Sequence, residues 1–246
     1  MTESPAAEAE GGEESLVSGD DRRVVELLGD AHEIVRRFAE MLADEGVLRG
    51  LIGPREVPRL WERHLLNCAV VAPHLPESGT VVDVGSGAGL PGVVIAAMRP
   101  ELHVVLLEPM ERRVAWLNEV VAALGLRSVE VRRGRAEELR GQLRADAVTA
   151  RAVAPMDRLA AWTLPLLGAG GTLVAMKGQH AGAELTAAAS VIRSLGGSAG
   201  EVIEAPTLVG LRPTYLVRVI RERVIGEEPA RAGMRAKRSR VGPKRR

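Results

Sequence analysis

The chain has 246 residues, 46% of them hydrophobic, enough for one large α/β domain with extensions or for two small domains. Aromatics are scarce, with one Phe, one Tyr and three Trp, so the core must be built from Val, Leu, Ile and Ala, which suits a parallel sheet covered by helices on both faces. The net charge of +1 conceals a segregation: residues 1–21 carry seven acids and no base, whereas residues 221–246 carry ten bases and three acids.

A single cysteine, Cys68, excludes an intramolecular disulfide and a cysteine-rich metal site, and no metal is expected. The acidic start lacks the basic-then-apolar pattern of a signal peptide, and no run of about 18 strongly apolar residues argues for a membrane span. The expected compartment is therefore the cytoplasm, with no membrane partner and with the chain acting as a monomer.

In chain order, residues 1–21 read as a disordered acidic leader. Residues 22–76 read as a helical extension, with an apolar stripe over Val24–Leu42 and a second helix over Val57–Val71. From Thr80 short β-branched runs alternate with helical segments. The strands are TVVDV (80–84), HVVLLE (103–108), SVEVR (128–132), DAVTA (146–150) and TLVAM (172–176), with further strands near 201–204 and 214–220. Helices begin near Pro91, Met110, Pro155 and Ala181. Repeated βα units over 77–222 predict a doubly wound, mostly parallel α/β sheet with right-handed crossovers. Residues 223–246 form a basic tail, read either as a solubilising disordered end or as an RNA-contacting arm.

The densest chemical signal is VVDVGSGAGLPG (81–92). A strand ends in Asp83, and Gly85, Gly87 and Gly89 then form a loop ahead of a helix. Glycines suit a tight turn that a ligand approaches closely, and the helix start offers N–H groups to a carboxylate or phosphate. A dinucleotide fingerprint would read G-x-G-x-x-G; here the spacing is G-x-G-x-G with an acid two residues before the first glycine, which resembles the first motif of class I methyltransferases. Glu108 ends the second strand 23 residues after Gly85, where an acid accepts hydrogen bonds from ribose hydroxyls. The turn GRAEEL (134–139) then borders an adenine, read by backbone groups of Ala136 and Glu137.

The acceptor atom can be narrowed. Exocyclic amino methylation typically uses [DNS]-P-P-[YFW] after the fourth strand, where this chain reads TARAVAP (149–155). Pyrimidine-C5 methylation needs a cysteine nucleophile, and Cys68 lies far upstream on an expected helix. A ring nitrogen such as guanine N7 carries an in-plane lone pair and no proton, so it needs only alignment with the methyl group. The pattern thus points to ring-nitrogen methylation.

RHLLNCAVVAPHL (63–75), VVDVGSGAGLPG (81–92), LLEPMERRVAWL (106–117), GRAEEL (134–139) and TARAVAP with MKG (176–178) together resemble the ribosomal RNA small subunit methyltransferase G family, also called glucose-inhibited division protein B, over roughly residues 24–220. That resemblance implies S-adenosylmethionine as cofactor, 16S ribosomal RNA or the small ribosomal subunit as partner, and methylation of guanine N7 in the 530 loop, with no covalent intermediate and no residue acting as acid or base. Matched residue by residue, it implies cofactor contacts at Gly85, Leu90, Glu108, Pro109, Met110, Ala136, Glu137 and Arg151, and Asp83, Gly87 and Gly89 of the loop are expected to bind the cofactor as well. Arg63 and His64 read either as substrate contacts or as a helix-surface ion pair and a packed histidine. Arg151 is expected to serve the cofactor or a phosphate, and Lys177 a phosphate or solvent. One departure is GLIGPREV (50–57), where the family often shows an N-L-T-type stretch. The alternatives are a small-molecule methyltransferase and a non-catalytic RNA-binding module on the same fold.

Overall fold

The computed structural model describes residues 17–225. Most of the acidic leader and nearly all of the basic tail lie outside the described residues.

Seven strands form one sheet: β1 (Gly79–Val84), β2 (Leu102–Glu108), β3 (Val129–Arg133), β4 (Ala145–Arg151), β5 (Leu167–Lys177), β6 (Glu201–Ala205) and β7 (Thr214–Ile220), in the order β3-β2-β1-β4-β5-β7-β6. Pairings from β3 through β5 are parallel, and β7 runs antiparallel to both β5 and β6. The order reverses between β1 and β4, a switch point at whose carboxyl edge ligands of such sheets bind.

The inner strands are buried on both faces, so alternate residues feed two cores. Val81, Val104, Leu106 and Val174 pack with one cluster, and Val82, Val105, Leu107 and Leu173 with the other. The first face carries helices α1 (Arg22–Leu28), α2 (His32–Glu45), α3 (Leu66–Ala69), α4 (Gly92–Met98) and α5 (Glu111–Leu124), and the second carries α6 (Met156–Thr163) and α7 (Ala181–Ser194).

Four differences from the sequence expectation have local causes. The stripe over Val24–Leu42 is buried at Val24, Leu28, Val35, Phe38 and Leu42, but the helix breaks at Gly29, whose φ of +51° a helix cannot hold, and a 3-10 turn covers Gly29–Ala31. The segment expected as one helix over Val57–Val71 is a 3-10 turn at Pro54–Arg59, a π turn at Trp61–Leu65 and the single-turn α3. Pro58 within it lacks the N–H that a continuous helix would use. At the amino end, Val17 is buried and the Gly19 carbonyl accepts from His32 Nε2 at 2.8 Å. Val17 and Gly19, expected within the disordered leader, are therefore held against the fold. At the other end Arg223 N–H donates to the Gly196 carbonyl at 3.3 Å, just past the expected start of the tail.

Among the described residues, no helix is long and apolar enough to cross a membrane, and no three His, Cys, Asp or Glu side chains are grouped to hold a metal.

Candidate active site

The glycine loop between β1 and α4 is fastened at several points. Gly85 and Ser86 N–H both donate to the Leu107 carbonyl, at 2.8 and 3.2 Å, tying the loop to β2. Gly85, Gly87 and Gly89 have φ values of +73°, +56° and +105°, a region side chains rarely adopt. Trp116 of α5 is fully buried and its Nε1 donates to the Ala88 carbonyl at 2.9 Å. Phe38 of α2 lies 3.1 Å from where a Gly89 Cβ would stand, so the N-terminal helices buttress the loop from outside the sheet. Leu90 is buried at the loop's end.

Two acids flank the loop. Asp83 is fully buried; its Oδ2 accepts from Gly92 N–H at 3.0 Å, while Oδ1 has no partner among the described residues. Burial pushes its carboxyl up to about 7, against the lowering effect of its hydrogen bonds. The first N–H of α4, which the sequence offered to a ligand, is thus capped from within. Glu108 is 2% exposed and acts as a staple: Oε2 accepts from Gly87 N–H and Oε1 from Met110 N–H, both at 2.9 Å. Arg113 Nη1 stands 3.9 Å from Glu108 Oε2, and the buried Arg113 Nε has no partner among the described residues. Pro109 is half-buried and Met110 exposed beside the staple, while Ala136 is buried and Glu137 exposed on a 3-10 turn at Ala136–Leu139.

These groups fit a zwitterionic, ribose-bearing ligand. Asp83 Oδ1 is an unsatisfied acceptor for an ammonium and Arg113 Nε an unsatisfied donor. Each Glu108 oxygen retains lone-pair capacity for a hydroxyl. The glycine backbone leaves room for close approach.

Beside the loop a cleft of about 820 Å³ opens at the carboxyl edge of β4 and β5, lined by Arg151, Val153, Lys177, Arg212 and Tyr215 among others. Val153 Cγ2 lies 3.0 Å from where a Gly85 Cβ would stand, so loop and cleft are adjacent. Ala152 on the rim has φ +53°, the one non-glycine residue in that region among those described. Strain of this kind tends to gather at functional sites.

The structure joins Arg151 to Arg63, His64 and Cys68, which the sequence treated apart from it. Arg151 Nη2 donates to His64 Nδ1 at 2.7 Å and to the Arg63 carbonyl at 3.3 Å, and Nη1 to Cys68 Sγ at 3.5 Å. His64 Nε2 in turn meets Glu56 Oε2 at 2.6 Å. Because Nδ1 accepts, Nε2 carries the proton and donates to Glu56. Burial, then the Arg151 charge, lowers the His64 pKa below its ordinary value. Burial raises the Cys68 thiol to about 11, which keeps it protonated and unsuited to nucleophilic chemistry. Glu56 was missed; it sits in GLIGPREV, the stretch that departs from the family pattern. Lys177 is neither solvated nor free: its side chain is 8% exposed, and Nζ donates to the Ala154 carbonyl at 2.7 Å and to Glu184 Oε2 at 2.8 Å. Arg113, Trp116 and Tyr215 also escaped sequence reasoning. Their only signal was the helical register of Arg113 and Trp116 after Glu108, and for Tyr215 its being the chain's one tyrosine.

The family model for rRNA small subunit methyltransferase G (GidB) matches residues 31–206. Proteins named ribosomal RNA small subunit methyltransferase G are similar along nearly the whole chain. That of Thermobifida fusca is 51% identical, covering 92% of this chain and 98% of its own. That of Salinispora tropica is 52% identical, covering 89% and 92%. The chain belongs to the rRNA small subunit methyltransferase G family. Its fold is shared more widely. An S-adenosylmethionine-dependent O-methyltransferase from Thermotoga maritima superposes with a TM-score of 0.52 at 18% identity over 76% of this chain and 73% of that one. An O-methyltransferase from Bacillus cereus in complex with SAH does so with 0.52 at 14% over 75% and 90%. Family and fold together make this methyltransferase G relative an S-adenosylmethionine-dependent enzyme of class I architecture.

Proposed function

We propose that this protein transfers the methyl group of S-adenosylmethionine to N7 of a guanine in the 530 loop of 16S ribosomal RNA, as a cytoplasmic monomer acting on the RNA or on the small subunit. The observation that carries the reading is the contact between a stapled cofactor loop and an open, cation-rimmed cleft, the two meeting at Gly85 and Val153. When bound, S-adenosylmethionine supplies an electrophilic methyl group.

The chain's own residues do the positioning. Asp83 and Arg113 hold the amino-acid end, with Gly85, Gly87, Gly89 and Leu90 shaping the seat. Glu108 takes the ribose hydroxyls, Pro109 and Met110 flank it, and backbone groups of Ala136 and Glu137 read the adenine edge. Guanine N7 already presents its lone pair, so no side chain needs to remove a proton, and alignment is the main contribution. Positive charge grows on the guanine as the bond forms, and a cation aimed at N7 would oppose that. Arg151 is held toward His64, Cys68 and the Arg63 carbonyl instead. Arg63, His64 and Lys177 act on the substrate side, Arg63 at the surface and the other two by fixing the cleft wall.

The test is transfer of radiolabelled methyl groups from S-adenosylmethionine to guanosine, to naked 16S rRNA and to 30S subunits, with the modified base located by borohydride–aniline strand scission. Labelling of one guanine in RNA, with scission at that base, is the expected result. Labelling of guanosine alone would move the reading to a small-molecule methyltransferase, and cofactor binding without transfer to a non-catalytic RNA-binding module.

A further inference from the structure

A second cleft of about 660 Å³, called the outer cleft, adjoins the first, the inner cleft. Asn67, Arg212 and Pro213 line both, so the two meet along one wall. The outer cleft is arginine-rich: Arg23, Arg59, Arg63 and Arg212 line it against the single carboxylate of Glu62.

The arginines fall into two kinds. Arg23 is held by Asp21 at 2.6 Å, Arg59 by Glu62 at 2.7 Å and Arg63 by Glu56 at 3.3 Å. Such pairs fix the direction of each guanidinium, which has five donors in a planar fork and so keeps capacity for a second acceptor. Arg151 and Arg212 differ. Among the described residues neither has a carboxylate within salt-bridge distance: Arg151 faces neutral groups, and Arg212 is exposed beside the junction. Arg151 thus lines the inner cleft alone, whereas Arg212 lines both.

In the inner cleft, Tyr215 at the start of β7 pairs with Lys177 at the end of β5, and this half-buried residue is part of the lining. Lys177 is pinned to the Ala154 carbonyl and Glu184, and Tyr215, which also packs against the second core cluster, is the one aromatic residue lining that cleft among those described.

We propose that the two clefts form one track for single-stranded RNA: the inner cleft seats a splayed-out base on Tyr215, and the outer cleft grips the flanking phosphates through Arg212 and Arg63. This deepens the RNA-methyltransferase reading above and rests on it. A duplex buries its bases, so an enzyme acting on a base atom must receive the nucleotide extruded or from a loop. The extruded base needs an aromatic platform and its neighbours a line of cations, and the two clefts supply these in series. A free nucleoside would use the inner cleft alone and would leave the outer arginines without a task.

Two substitutions separate the halves of the track, with a charge-matched control. Arg212→Ala removes an exposed cation with no partner among the described residues. Arg127→Ala removes an exposed cation just before β3, at the opposite edge of the sheet. Binding of naked 16S rRNA is titrated against salt. The slope of log affinity on log salt should fall by about 0.7 for Arg212→Ala, the value of one phosphate contact on a single strand, and stay at the wild-type value for Arg127→Ala. Tyr215→Leu should raise KM for the RNA about 5- to 150-fold while keeping the wild-type salt slope, and Tyr215→Phe should restore KM. Thermal melting and S-adenosylmethionine affinity report whether each variant is folded. Equal slopes for Arg212→Ala and Arg127→Ala would overturn the outer half, and a wild-type KM in folded Tyr215→Leu the inner half. If wild-type protein binds 16S rRNA with the expected slope but transfers no methyl group, the functional reading fails and the track stands.

Discussion

At the scale of single residues, Glu108, read from the sequence as a ribose contact, holds backbone as well. Its position at the end of β2 predicts a ribose contact, but its oxygens also accept from Gly87 and Met110 N–H and so hold the loop. Glutamine keeps the shape and has one acceptor oxygen, so its amide NH2 would face one of those backbone donors. Glu108→Gln should lower S-adenosylmethionine affinity by one to two decades, as expected from losing a charge-assisted bond of about 1.5–3 kcal/mol, and should also lower the melting temperature. Calorimetry that finds affinity intact with a lowered melting temperature would leave Glu108 as a loop staple only.

Asp83 makes the complementary prediction in pH. Its carboxyl ionises near 3.8 when unfolded and near 7 when buried, so between those values the folded state holds a proton that the unfolded state has released. Stability from this group is full below the lower value and is lost as pH rises through the upper one. Urea melts of wild type and Asp83→Asn at pH 5 and pH 8 should diverge. The asparagine variant should gain on wild type at pH 8 by an amount on the order of a few kcal/mol. An unchanged difference between the two pH values would place the Asp83 proton elsewhere. The Glu108 staple and the raised Asp83 carboxyl were not legible in the sequence, which marks an acid at the end of a strand but not how deeply the fold encloses it. Glu56 and Tyr215 were hidden for a related reason. Their partners, His64 eight residues on and the cleft wall formed with Lys177, depend on turn geometry and on strand pairing.

Among elements, the strands were readable because Val, Leu and Ile runs bounded by Gly and charged residues leave few other options. β5 was placed short, from Thr172, because Gly168, Gly170 and Gly171 dilute the apolar signal over its first half. The irregular register there, Ala145 opposite Leu167 and then Ala147 opposite Thr172, has no sequence mark. The N-terminal helices were the weakest reading. Their apolar stripe was right, but Gly29 and Pro58 break the chain into short turns whose directions are set by packing on α4 and α5. The glycine loop was the strongest, since its three positive φ angles are ones that few other residues accept. Gly85→Val tests that element: the backbone is strained at φ +73°, and the new Cβ would stand 3.0 Å from Val153 Cγ2. Cofactor binding should be abolished while far-UV circular dichroism stays native, because seven strands and two cores do not pass through this residue. Wild-type affinity in the variant would remove the loop from the site.

For the molecule as a whole, the dominant feature is charge segregated along the chain: seven acids in residues 1–21 and ten bases in residues 221–246. The proposed RNA track is built from described residues, whereas most of the basic excess is in RAGMRAKRSRVGPKRR (231–246), outside the described residues. If that segment grips phosphates other than those held by the clefts, the two effects on the salt slope should add. Deleting residues 231–246 should flatten the slope for 16S rRNA by about 0.7 for each phosphate that the segment neutralises. Combining the deletion with Arg212→Ala should lower it by the sum of the two single effects. S-adenosylmethionine affinity should hold, because the cofactor loop is fastened by Leu107, Glu108 and Trp116, none of which the deletion touches. Turnover at saturating RNA should hold as well, since transfer to a lone pair depends on alignment inside the cleft and not on the strength of the encounter. Parallel salt titrations of the full chain, the truncation and the combined variant decide the point. A truncation with the full-length slope would make the tail a solubilising end, and RNA recognition would then fall to the arginines of the two clefts.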